Sequence, residues 1–170
     1  LTDGQKRFSL STEEYLKLLI QLNEKMNGDN NQHLGLAFHS LRAVSEEALK
    51  YIIEKNPTSG PLHIHISEQV AEVNDSIAFS GKRPVEWLLA NVPVNEQWCL
   101  IHATHLNEQE IKMITKSGAV VGLCPTTEAN LGDGLFPLKT FLDGDGHIGI
   151  GSDSHISVSI AEELRLLEYG

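Results

Sequence analysis

Eight histidines in 170 residues are an excess for a chain of this size, and their placement is what makes them chemically interesting. His39, His65 and His102 each lie at or just beyond the end of a short β-rich run, and Asp153 ends the last such run. A single histidine at a strand end is ordinarily a hydrogen-bonded residue of the fold. Three of them and an aspartate at equivalent places in successive units form a constellation. Neutral imidazole and carboxylate are donors that suit Zn2+, with Fe or Mn as alternatives, and a catalytic ion keeps one position open for water. His63 and His65 form an H-x-H pair, and residues i and i+2 of a strand point to the same face. His65 and Glu68 give H-x-x-E at a strand-to-loop turn, which places a carboxylate beside such a site. The competing reading of Glu68 is a helix N-terminal carboxylate interacting with the dipole.

The other histidines carry less. His105 lies past a strand end, where capping and surface placement are common, and His33 and His147 lie at strand starts and are read as structural. His155, two residues after Asp153, either lines the mouth of the site or belongs to a loop.

The elements that position these residues alternate between strand and helix. Helical spacing of Tyr15, Leu16, Leu18, Leu19 and Leu22 predicts a helix over 12–26, with Ser11 as N-cap. The polar GDNNQ stretch at 28–32 is a loop. Strands are predicted at 34–38, 62–66, 98–102, 119–125 and 147–153. Helices are predicted over 45–55, 70–80, 84–90, 107–116, 137–142 and 161–169. Gly81 and Asn56-Pro57 act as stops, and TTEANLGDG at 126–134 is a Gly-rich connection. Repeated β-α alternation with apolar strands indicates an α/β fold with a parallel sheet covered by helices. In such folds the active site lies at the carboxyl ends of the strands. The pattern alone does not choose between a doubly wound sheet and a (β/α)8 barrel, although no G-x-G-x-x-G follows the first strand.

Composition narrows the function classes. With 41% apolar residues the chain can build a real core, and residues 1–170 are read as one domain. The balance of 13 Lys+Arg against 23 Asp+Glu, a formal charge of −10, disfavours nucleic acid or an anionic membrane as a partner. No apolar run approaches the roughly 20 residues of a membrane span. The start, LTDGQKRFSL, lacks a secretory pattern. Cys99 and Cys124 make no disulfide framework, and the expected setting is a reducing cytoplasm.

Six segments together resemble the amidohydrolase superfamily, and within it the formimidoylglutamate deiminase family. They are AFHSLRAVS at 37–45, HIHISEQ at 63–69, RPVEWLL at 83–89, LIHATHL at 100–106, GLCPTTEANLGDG at 122–134 and GIGSDSH at 149–155. GSDS is shared by many deaminases, whereas HSLRAV together with CPTTEANLGDG is highly specific. The resemblance implies a (β/α)8 barrel whose first strand supplies an H-x-H metal pair. His63-x-His65 is not that pair. The 88 positions from His65 to Asp153 hold about three βα units, where a first-to-last separation needs seven. The chain is therefore expected to be the C-terminal part of the barrel, about strands four to eight, with the remaining ligands on a missing N-terminal H-x-H. Five barrel strands alone leave open edges and an exposed apolar interior, so this reads as a piece of a longer enzyme.

The resemblance also implies roles. His65 and Asp153 are the metal ligands, for Zn with Fe or Mn possible, and Asp153 also takes a proton from the attacking water. Glu68 carries that proton to the leaving nitrogen, and His102 orients the reacting atoms. His39 and Arg42 bind the two carboxylates of a small-molecule substrate, a task suited to the guanidinium fork. The implied reaction converts N-formimino-L-glutamate to N-formyl-L-glutamate and ammonia in histidine degradation, by an enzyme that is a homo-oligomer at full length. A deaminase of a guanine- or cytosine-like base shares His65, Glu68, His102 and Asp153 but has no need of Arg42. A metal-binding or scaffold module keeps the fold without needing Glu68.

Overall fold

The computed structural model describes Gly4, residues 9–26, Gly28, residues 31–154 and residues 157–170. Part of the 28–32 stretch, and His155, lie outside the described residues. The chain divides into two compact units, Leu1–His63 and Ile64–Gly170.

The first unit opens with α1 (Thr12–Met26), which buries Leu16 and Leu19. Ser11 caps it in a reciprocal box: Glu14 N donates to Ser11 Oγ at 3.2 Å and Ser11 N to Glu14 Oε2 at 2.8 Å. Strand β1 (Leu36–Ser40) alternates, with Leu36, Phe38 and Ser40 buried and Ala37 and His39 exposed. It begins two residues later than the spacing predicts, so His39 lies inside the strand rather than after it. The delay has a steric cause. Gly35 and Gly60 pass so closely that a Cβ on Gly60 would sit 2.0 Å from the Leu34 carbonyl oxygen. Pairing then starts where Leu36 N donates to Pro61 O at 2.9 Å. Helix α2 (Glu46–Glu54) is capped by Ser45, whose Oγ accepts from Ala48 N at 3.2 Å, and it buries Leu49 and Ile52.

The second unit takes up β2 (Leu62–Ile66) from Ile64 and continues through α3 (Val70–Ser80), α4 (Pro84–Asn91), β3 (Trp98–His102) and α5 (Glu108–Ser117). After these come β4 (Val120–Leu123), α6 (Pro125–Leu131), α7 (Leu138–Asp143), β5 (His147–Ile150) and α8 (Ile160–Tyr169). The strands lie in chain order, β2-β3-β4-β5. The β3–β4 and β4–β5 pairs are parallel, with Leu100 opposite Val121 and Val121 opposite Ile148. Ile64, Ile66, Leu100, Val121 and Leu123 from the strands, with Val85, Leu88, Ile114 and Phe141 from the helices, are fully buried. Each contributes about 1.5–3 kcal/mol of burial free energy. The opposite faces of β2 and β3 carry His65, Cys99 and Ile101, which are only half-buried. Gly81 at φ 73° and Gly118 at φ 78° end α3 and α5 in the left-handed conformation that glycine accepts most readily.

Residues 126–134 depart from expectation. The predicted strand over 119–125 stops at Leu123, because Pro125 has no N–H for the ladder and is preorganised for a first helical turn. Most of the supposed loop is helix α6, ended by Gly132 at φ 71°. Strand β5 likewise ends at Ile150, so Asp153 sits on the loop beyond it. No helix among the described residues is long and apolar enough to cross a membrane.

Candidate active site

Three of the strand ends of the second unit, those of β2, β3 and β5, turn sharply. Ser67 after β2 has φ 51°, His102 and Ala103 at the end of β3 have φ 68° and 48°, and Asp153 beyond β5 has φ 51°. None is glycine, and each such residue costs on the order of 1–3 kcal/mol, tolerated where surrounding bonds over-determine it. The bonds are present. Glu72, buried in the first turn of α3, accepts from Ser67 N at 3.0 Å with one oxygen and from Glu68 N at 2.9 Å with the other. Ala103 N donates to Ile66 O and His105 N to Ser67 O, both at 3.0 Å, which ties the ends of β2 and β3 together.

These turns aim side chains at one another. The His65 and His102 rings stack with centroids 5.6 Å apart. His102 Nε2 lies 3.7 Å from Glu68 Oε1, and its Nδ1 lies 3.2 Å from Glu128 Oε1. The same Glu128 oxygen accepts from Cys124 N at 2.9 Å. Burial raises the Glu68 carboxyl above the ordinary glutamate range; the His102 charge opposes this, and neighbouring Asp133 reinforces it. Burial alone lowers His102. The Glu128 hydrogen bond and the charges of Glu68, Glu128 and Asp153 outweigh it, so the imidazole is raised overall. Burial, with the charges of Glu128, Asp153 and Glu163, pushes the Cys124 thiol up to about 12. Cys124 is therefore an inert thiol in this setting.

Of the residues expected to act, His65, Glu68 and His102 are brought together, and the exposed Asp153 is close enough for its charge to act on His102 and Cys124. Glu72 holds the backbone N–H groups of Ser67 and Glu68 just before the helix, and the Glu68 side chain faces His102. His39 and Arg42 belong to the first unit. There His39 Nδ1 lies 3.0 Å from Ser40 Oγ, and Arg42 is exposed in the turn after β1. His105 is held by the fold: its Nε2 donates to the Asp133 carbonyl at 2.7 Å, and the His105 carbonyl accepts from the Arg83 guanidinium. His33, His63 and His147 are exposed, and His155 lies outside the described residues.

Spacing did not single out Glu72, Glu128 or Asp133, whose Oδ1 accepts from Gln69 Nε2 at 3.0 Å. The available signals were weak. Glu72 stands four residues after Glu68 in a first helical turn, and Glu128 stands four after Cys124 in a segment that reads as a loop. His65 and Asp153 contribute an imidazole and a carboxylate, a chemistry that suits zinc as part of a donor set. Among the described residues no three His, Cys, Asp or Glu side chains group closely enough to hold a metal ion. The fit is that of a partial set.

A model of the Amidohydrolase family matches residues 5–168. Formimidoylglutamate deiminase of Pseudomonas aeruginosa is 50% identical over 169 residues, 99% of this chain and 37% of that protein. 5-Methylthioadenosine/S-adenosylhomocysteine deaminase 2 of Archaeoglobus fulgidus is 33% identical over 157 residues, 89% of this chain and 38% of that protein. An amidohydrolase from Brucella melitensis superposes with TM-score 0.94 at 48% identity, covering 99% of this chain and 38% of that one. An adenosine deaminase from Xanthomonas campestris with bound zinc does so with TM-score 0.81 at 25% identity, covering 92% and 38%. The chain thus spans 37–38% of the length of these relatives. The parallel strands in chain order and these superpositions fit part of a (β/α)8 barrel.

Proposed function

Because the chain belongs to the amidohydrolase family, we propose that it is part of a metal-dependent enzyme hydrolysing the formimino C–N bond of N-formimino-L-glutamate. The products are N-formyl-L-glutamate and ammonia, as histidine degradation requires. The observation that carries this reading is the 50% identity to the Pseudomonas formimidoylglutamate deiminase over 99% of the chain, against 33% to the Archaeoglobus deaminase.

His65 and Asp153, with further donors from an N-terminal H-x-H outside this chain, would hold a zinc, iron or manganese ion, which when bound would supply positive charge to acidify water and polarise the formimino group. The rest of the chemistry falls to side chains of this chain. Asp153 takes the proton that the attacking water loses as its oxygen bonds to the formimino carbon. Glu68 delivers a proton to the nitrogen that leaves as ammonia, a task matched by a carboxyl whose burial favours its protonated form. His102 presents Nε2 to the reacting atoms beside Glu68. His39 and Arg42 are assigned to the substrate's two carboxylates on their chemistry, since a guanidinium fork matches a carboxylate with two parallel hydrogen bonds. The full-length enzyme is proposed to be a cytoplasmic homo-oligomer.

Ammonia release by the full-length protein tests the reading, with N-formimino-L-glutamate set against guanine, cytosine and 5-methylthioadenosine. The formimino compound should turn over fastest by orders of magnitude. Faster release from a base would replace this reading with a base deaminase, and no release from any of them would favour a scaffold.

A further inference from the structure

Glu128 has no part in the chemistry outlined above, yet it is among the most enclosed carboxylates of the second unit, at 4% exposure. Its Oε1 receives Cys124 N at 2.9 Å and stands 3.2 Å from His102 Nδ1, where both side chains are buried. This Oε1 acts as an acceptor toward Cys124 N–H, and with the same role toward the ring the His102 nitrogen facing it carries the hydrogen. The ring's remaining nitrogen, Nε2, is the one that lies toward Glu68. Two further constraints fix the geometry. Cys124 N–H pins the carboxylate at the start of α6, and the left-handed backbone at His102 and Ala103 sets the direction from which the ring enters.

We infer that Glu128 is a positioning residue: its carboxylate fixes the His102 proton on Nδ1 and holds the ring so that Nε2 is presented to the reacting atoms beside Glu68. A free imidazole can carry its proton on either nitrogen and can flip about its side-chain torsion. A buried carboxylate on one side removes both freedoms, which is how an orienting acid acts on a catalytic histidine in unrelated enzymes. The inference rests on the proposed role of His102, but the hydrogen-bond assignment can be tested without it.

The test uses the full-length enzyme with two variants. Glu128→Gln keeps an oxygen for Cys124 N–H and for Nδ1–H but loses the charge that strengthens the bond. Glu128→Leu removes the acceptor at similar volume. The 15N spectrum of labelled histidine should show His102 protonated on Nδ1 in the wild type, and a shift toward the Nε2 form in Glu128→Leu. Under steady-state assay kcat should fall about 10-fold in Glu128→Gln and about 10²-fold or more in Glu128→Leu, with KM within about 3-fold in both. An Nε2–H form in the wild type, or full kcat in a folded Glu128→Leu, overturns the inference. If Glu128→Leu fails to fold, Glu128→Gln decides: unchanged kcat overturns it. The spectrum is independent of substrate, so failure of the proposed reaction and failure of this assignment are distinguishable.

Discussion

Replacing Glu68 by glutamine separates proton transfer from scaffolding more cleanly than any other single change in this chain. The backbone at Glu68 is held by Glu72, which accepts its N–H at 2.9 Å, so the turn survives loss of the side-chain charge. The side chain faces His102 at 3.7 Å, longer than a hydrogen bond, and its hydrogen bond with Asp133 is one that a glutamine amide can keep by donating to that carboxylate. Glutamine is nearly isosteric but cannot shuttle a proton. Loss of general acid–base catalysis costs about 10²–10⁴ in rate, or about 2.7–5.4 kcal/mol of barrier at about 1.36 kcal/mol per decade. Stability should move the other way. Burial raises the Glu68 carboxyl above its ordinary 4.5, so its contribution to folding is fully present below 4.5 and is lost as pH rises through the raised value. Glutamine removes the group whose charged form burial disfavours. The full-length Glu68→Gln enzyme should melt at or above the wild-type temperature at pH 7.5, retain its metal and lose kcat by at least 10²-fold. A variant keeping more than a tenth of wild-type kcat, or one that melts well below wild type, refutes this account of Glu68.

Three other outcomes are expected. Arg42→Ala should lower kcat/KM for N-formimino-L-glutamate by roughly 10² with Arg42→Lys recovering only part, while a small formamidine without carboxylates reacts equally with wild type and variant. Arg83 Nε lies 2.7 Å from the fully buried Glu110, so Arg83→Met should cost about 3–5 kcal/mol in denaturant unfolding by stranding that charge. Cys124, its thiol pushed up to about 12, should resist iodoacetamide at pH 8 in the folded protein. Because the unfolded thiol ionises near 9.0, Cys124 should also make folding weaken as pH climbs from 9.0 toward 12, visible as a falling melting temperature relative to Cys124→Ser.

Where local chemistry decided the structure, the sequence was readable. The bounds of α1, β2, α3 and β3 coincide with prediction because periodicity and stops agree there: Gly81 ends α3, and strand-forming runs fill 62–66 and 98–102. The shift of β1 has a non-local cause, the Gly35 and Gly60 backbone approach, which no local window contains. In α6 the Pro125 start and Gly132 stop were both visible, but glycines on the far side and an apolar run on the near side outweighed a helix of seven residues. The candidate site divides in the same way. His65, Glu68, His102 and Asp153 announced themselves by strand-end placement. Glu72 and Glu128 act through buried hydrogen bonds to backbone and ring, and such partners are defined only once two strand ends and two helix starts come together.

We propose that the carboxyl ends of these strands carry part of a metal centre, with His65 and Asp153 as its ligands and Glu68 and His102 beside it. Anomalous diffraction from crystals of the full-length enzyme, collected across the absorption edge of its metal, tests this directly. One peak should lie within about 2.2 Å of both a His65 nitrogen and an Asp153 oxygen, with Glu68 and His102 near but not bound. A peak ligated by His102 or Glu68 in place of either, or one that touches neither strand end, contradicts it.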